Sequence, residues 1–172
     1  MVFLDVARQV LDAGYDAEFV IAGQEIKHPE LRRRAGQLRI DERVTVADFP
    51  SLGADFWTVL DIYCQPAMVA SGGGTLLQAM AHAIPSIATR VPGLHGLIEP
   101  GASGLIVPPD DPEALEAAIM ELLDHPEEAR RLGQNARERV RTEFAPDAEA
   151  DRLVALYREV VGSDGRSAST GP

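Results

Sequence analysis

Two short apolar runs, Ile62 to Cys64 and Pro85 to Thr89, flank a helix-length segment in DIYCQPAMVASGGGTLLQAMAHAIPSIAT, residues 61–89. Few architectures accept such a stretch. Strands joined through a helix pair in parallel, with the connection crossing right-handed over one face of the sheet. Gly72, Gly73 and Gly74 stand where the helix should begin, and Thr75 to Ala83 has the apolar spacing of a helix packed on a sheet. Strand, glycine turn and helix N-terminus together form a concave site. Its free backbone N–H groups and the helix dipole favour an anion such as phosphate. A tight, flexible turn explains the same glycines equally well, so the surrounding chain has to decide.

That chain repeats the alternation. Val2, Phe3, Val6, Ala7, Val10 and Leu11 give Phe3 to Ala13 the spacing of an amphipathic helix that stops at Gly14. EFVIA, residues 18–22, reads as a buried strand, and Gly23 follows at its carboxyl end, where open α/β sheets place ligands. Pro29 to Leu38 reads as a helix and Arg43 to Ala47 as a strand. Residues 48–60 read as a loop and short helix whose Trp57 packs rather than stacks on a ligand. After a Gly- and Pro-rich connection, Leu105 to Val107 is a brief strand. Asp110-Asp111-Pro112 then opens a helix. N-capping by Asp111 accounts for this acidic pair more simply than a metal site does. Helices over 113–123, 127–141 and 148–161 complete one domain, residues 1–162, and residues 163–172 read as a disordered tail. The fold class is α/β, a Rossmann-like parallel sheet with helices on both faces. The first helix has no strand before it, so a doubly wound sheet is short of one strand.

Charge and composition exclude several functions. A formal net charge of −11 argues against nucleic acid and anionic lipid as partners. The only basic run, Arg32 to Arg34, reads as a solvated helix face. No stretch approaches the ~20 apolar residues of a membrane span, and no signal peptide is expected. Cys64 is the single cysteine, which implies no disulfide framework and fits a cytoplasmic location. The histidines His28, His82, His95 and His125 are scattered, so no metal and no cofactor is expected. His82 reads as a packing residue, and His95 as the histidine better placed to reach a cleft.

In order, EFVIAG, RVTVADF, DIYCQPAMVASGGGTLLQAMAHAIPSIAT and GLIVPPDDPEAL resemble the nucleotide-sugar-binding, C-terminal half of GT-B glycosyltransferases, specifically the retaining enzymes of glycosyltransferase family 4. The similarity runs from about Phe3 to Gly162. It implies a donor whose pyrophosphate and sugar sit on Gly72 to Gly74, held by the backbone N–H groups of Gly73 to Leu77, with Thr75 and Leu76 in that first turn. The region around Val46 and Asp48 would lie beside the base, and Gly23 would border the cleft. The implied partner is a nucleotide diphosphate sugar; diphosphate charge is met by basic residues and helix dipoles, without a metal.

Two departures qualify the resemblance. Relatives carry E-x7-E, whose first Glu contacts the sugar and whose second contacts the ribose; here those positions are Ala70 and Gln78. Gln78 can still hydrogen-bond a ribose, without the strength of a carboxylate, and Ser71 can stand in only in part for what Ala70 lacks. The first strand, the family's Gly-Arg and Lys-Gly segments and the N-terminal acceptor domain are also missing, so the chain alone is expected to be inactive. No catalytic residue is assigned. The alternative is a degenerate module that binds a nucleotide or a protein without turnover. A phospho-switch of the flavodoxin-like kind needs an acidic cluster at a strand end, which Asp48 and Asp61 do not make.

Overall fold

The computed structural model describes residues 2–23, 28–49, 52–69, 72–94 and 96–144. Helix α1, Val2–Asp12, buries Leu4, Val6, Ala7 and Val10 along one stripe, as its three- and four-residue apolar spacing requires. Strand β1, Phe19–Gly23, runs parallel to β2, Val44–Asp48, in register from Phe19 opposite Val44 to Gly23 opposite Asp48. Helix α2, His28–Gln37, lies between them in sequence and packs on β2. Arg32 and Arg33 on α2 are exposed, and Arg34 pairs with Asp5 of α1.

Strands β3, Tyr63–Gln65, β4, Ser86–Thr89, and β5, Leu105–Val107, form a second parallel sheet in that order. Every residue of β4 is buried, which is why its sequence is apolar or small without alternation. Helix α3, Gly74–Ala81, makes the crossover from β3 to β4. Helix α4, Pro112–Asp124, starts on Asp111, whose Oδ1 accepts from the Ala114 N–H at 2.9 Å, so the acidic residue before Pro112 is a cap. Helix α5, Pro126–Glu143, follows after a single residue, His125.

The helices cover both faces. Helices α1, α2 and α4 share one apolar core, and α3 packs in the other with Val91, Leu94 and Ile98. Helix α5 crosses from one to the other, with Ala129 and Leu132 in the first core and Ala136 and Val140 in the second. The crossing point is Gly133. A Cβ there would lie 2.1 Å from the Ala83 carbonyl oxygen, in the turn that ends α3 with φ 59 at Ala83.

Helix α5 also organises the connection from β4 to β5. That loop contains Gly93, Gly96, Gly101 and Gly104, all at positive φ. Arg131, Asn135 and Arg139, four residues apart on one helix face, donate to its carbonyls. Arg131 reaches Gly101 at 2.9 Å and Asn135 reaches Ala102 at 2.8 Å, while Arg139 bridges Leu97 at 3.0 Å and Gly96 at 2.9 Å. Thr58 closes its own short 3-10 turn, and Trp57 sits among Phe49, Phe56, Tyr63 and His82, the packing role its sequence suggested.

The strands do not make one sheet. Among the described residues, β1 ends a two-stranded sheet and β3 ends a three-stranded one. The expected helix over 148–161, the domain end at 162 and the tail over 163–172 lie outside the described residues.

Two glycine substitutions test this packing with opposite signs. Gly36, exposed on α2 with no atom near its Cβ position, gains helix propensity as alanine, so Gly36→Ala stabilises by about 0.5–1 kcal/mol. Gly133→Ala meets rigid backbone and destabilises by about 1–3 kcal/mol despite the same propensity gain. Urea unfolding midpoints decide it; a stabilised Gly133→Ala chain sinks the α5 crossing.

Candidate functional site

A cavity of about 1260 Å³ reaches the carboxyl ends of β1 and β3 and the start of α3. Gly23 ends β1 at its rim, and Gln65, Gly72, Gly74, Thr75 and Gln78 line it from the other side. Parallel pairing produces this convergence, because it carries every strand's carboxyl end to one edge.

The glycine turn is built for close approach rather than for a special backbone. None of Gly72, Gly73 and Gly74 lies in the left-handed region. At Gly72 and Gly74 a Cβ would enter open space, so the missing side chains leave bare backbone facing the cavity. Gly73 differs: its Cβ would meet Leu97 Cδ1 at 1.9 Å, and the loop braced by Arg139 packs against it there. Gly73 is the N-cap of α3 and no side chain caps that end. The N–H groups of Gly73, Gly74, Thr75 and Leu76 therefore have no intrahelical acceptor.

One expected donor drops out. The Leu77 N–H already donates to Gly73 O at 2.8 Å, as the fifth N–H counted from the N-cap does, so the anion-facing set ends at Leu76. Leu76 itself contributes only backbone, since its side chain is fully buried. Val46 is not brought to the cavity. It is 7% exposed and held opposite Ile21 inside the β1–β2 pair, because the inward phase of β2 falls on it. Ala70, Ser71 and His95 lie outside the described residues.

Gln78 is exposed one turn beyond Gly74 and faces the cavity. His82 does not join it. Its ring stacks on Trp57 with centroids 5.8 Å apart, and Nδ1 lies 2.9 Å from the Gln78 carbonyl. A polar group the motifs do not announce lies beneath the turn. Tyr63 donates to Gln65 Oε1 at 3.1 Å and hydrogen-bonds the Thr75 side chain. Burial raises the Tyr63 pKa, partly offset by the Thr75 bond, so the phenol stays protonated and ties β3 to the first turn of α3. Tyr63 and Gln65 stand two apart on one strand face, the only sequence signal that could have found them.

The charge available is modest. Among the described residues lining the cavity the only cationic side chain is Arg43, and it is paired with Asp16. A helix N-terminus supplies about 0.3–1 kcal/mol to an exposed anion, up to ~2 in a partly buried one. A micromolar ligand needs about 8 kcal/mol. Backbone donors and the cavity-facing Gln78 by themselves therefore fall short of micromolar recognition of an anion.

A family model described as glycosyl transferases group 1 matches residues 2–139. The alpha-D-kanosaminyltransferase of Streptomyces kanamyceticus is 29% identical over 160 residues, 92% of this chain and 42% of that one. The solved sucrose-phosphate synthase of Thermosynechococcus elongatus superimposes with a TM-score of 0.78 at 26% identity, over 93% of this chain and 42% of the other. Anabaena HepE, solved in complex with UDP, gives a TM-score of 0.80 at 17% identity, over 92% and 44%. These likenesses show the α/β fold of GT-B glycosyltransferases. The chain spans about two fifths of the length of these relatives. No described helix is long and apolar enough to cross a membrane.

Cys64 is a wall residue of this cavity, not a nucleophile. Burial pushes its thiol up to about 12, although part of the residue remains accessible. Iodoacetamide at about pH 8.5 should therefore alkylate the native chain at least about tenfold more slowly than the urea-unfolded chain. Equal rates would show a thiol in an aqueous setting.

Proposed function

Because the chain belongs to the glycosyl transferases group 1 family, we propose that it is the donor-binding half of a retaining, family 4-like enzyme that transfers a sugar from a nucleotide diphosphate sugar. The uncapped N-terminus of α3, with Gly72 and Gly74 bare to the cavity, carries this reading. The diphosphate lies over Gly72 to Gly74 and accepts from the N–H groups of Gly74, Thr75 and Leu76, whose dipoles point at the developing charge of the leaving group. Tyr63, through Thr75 and Gln65, fixes the turn and does not touch the reacting atoms. Gln78 meets the ribose hydroxyls, and Gly23 leaves room at the rim. HepE, a protein of similar fold, was solved in complex with UDP, which is in keeping with a nucleotide diphosphate as the donor's carrier.

Transfer in this architecture occurs between two halves, so an N-terminal acceptor domain completes the site, and these residues alone bind without turnover. The absence of a free cation among the described cavity residues fits that division, with the counter-charge supplied from elsewhere in the enzyme. A reducing cytoplasm is the setting, in keeping with the lone thiol. The second reading, a binding module without turnover, draws on Ala70 and Gln78 in place of two carboxylates.

Titration of UDP and UDP-glucose, followed by amide NMR shifts, tests the donor site. Millimolar binding with shifts over residues 72–78 is expected, and no shift at about 10 mM ligand would remove the donor site from consideration. Gly74→Leu is expected to leave the unfolding midpoint unchanged or higher, since its Cβ meets nothing, while abolishing the shifts. Binding that survives Gly74→Leu places the nucleotide elsewhere. Gln78→Glu restores a charged acceptor, which is worth about 0.5–1.5 kcal/mol, so it should tighten UDP by roughly two- to tenfold and leave inorganic pyrophosphate unaffected. Equal effects on both ligands would show that Gln78 does not read the ribose.

A further inference from the structure

We propose that Gln65 is a further contact residue of the donor site, its side-chain amide donating to phosphoryl oxygens held over the start of α3. This rests on the donor-binding reading above and adds to it a residue of β3. The geometry begins at Tyr63. Its phenol has one proton, and that proton goes to Gln65 Oε1, 3.1 Å away. Thr75 bonds the same phenolic oxygen and favours its charged form, so there the Thr75 hydroxyl is the donor. Tyr63 thus accepts from α3 and donates to β3.

This chain of donors fixes which way the amide faces. With Oε1 taken by Tyr63, the other branch of the Gln65 amide is a pure donor with two N–H groups. Gln65 is partly exposed and lines the cavity, and among the described residues no acceptor meets its Nε2. Two hydrogen bonds that converge on one oxygen hold the Gln65 and Thr75 side chains within about 6 Å of each other. The Thr75 N–H is one of those the helix leaves without an acceptor. Oxygens of one phosphoryl group can therefore meet both. The support beneath Gln65 is firm, since its carbonyl accepts from the Ala67 N–H at 3.0 Å and Ala67 O accepts from Thr89 Oγ1 at 2.6 Å. A glutamate here would satisfy Tyr63 equally well and repel an anion. The amide satisfies Tyr63 and attracts one, in a cavity whose one described cation is already paired.

The test follows the Gln65 side-chain amide of the full chain by NMR, assigned by its loss from Gln65→Met, during titration with UDP, inorganic pyrophosphate and uridine. UDP and pyrophosphate are expected to shift it along the same saturation curve as the Gly74, Thr75 and Leu76 amides, and uridine to leave it in place. Gln65→Met should weaken UDP about tenfold or more, as loss of a hydrogen bond to a charged group does. Tyr63→Phe breaks the orienting bond but keeps the amide, so it should weaken UDP by only about two- to threefold. If Gln65 merely anchors Tyr63, Tyr63→Phe weakens UDP at least as much as Gln65→Met, which overturns the contact. Shifts at residues 74–76 with an unmoved Gln65 amide also overturn it, while leaving the donor site standing and without reliance on either variant folding. A uridine shift as large as that with UDP overturns the phosphoryl assignment. No shift with any ligand removes the donor site and this contact together.

Discussion

Helix α1 against helix α4 is the contact on which this molecule depends. Among the described residues no ladder joins the two sheets, and α1–α4 is the principal packing between the β1–β2 half and the β3–β4–β5 half. Leu4, Val6, Ala7 and Val10 on one side and Leu115, Ala118, Ile119 and Leu122 on the other lie in one apolar core. Burying a Leu, Val or Ile side chain contributes about 1.5–3 kcal/mol each, enough for one helix pair to hold the halves in register. That register sets the width of the cavity that Gly23 lines from one half and Gly72, Gly74 and Gln78 line from the other.

Much of this was legible in the sequence because the signals were periodic or steric. The three- and four-residue spacing in α1, the unbroken apolar run of β4 and the Asp111-Pro112 start of α4 each admit one physical reading, and the structure follows them. The glycine triplet was legible as the start of a helix but not in its reasons. Backbone angles remove the tight-turn explanation for all three, and the Cβ environments separate Gly73, pressed by Leu97, from its open neighbours.

What stayed hidden was long-range or a matter of phase. Val46 looked free to border a ligand, yet alternation along β2 turns it into the sheet core, and only the strand register reveals which parity faces inward. Leu77 was counted among the anion donors because a linear reading cannot see that its N–H is the first to be claimed by the helix. The Tyr63–Gln65–Thr75 link joins residues from two elements, and no motif spans them. Replacement of the carboxylate at position 78 by an amide was plain from the sequence. Its exposure toward the cavity was not.

The brace from α5 has an entropic side. Four glycines at positive φ within a dozen residues make the β4–β5 loop the segment with most freedom to lose on folding. Arg131, Asn135 and Arg139 compensate by holding four of its carbonyls from one helix face. A guanidinium keeps its proton at any pH a folded protein tolerates, so the Arg131 and Arg139 bonds are insensitive to acidity. The loop's order is thus inherited from α5. The space beside Gly73 is set by a helix that does not line the cavity, and whatever frays the carboxyl end of α5 loosens the glycine turn without altering one residue in it.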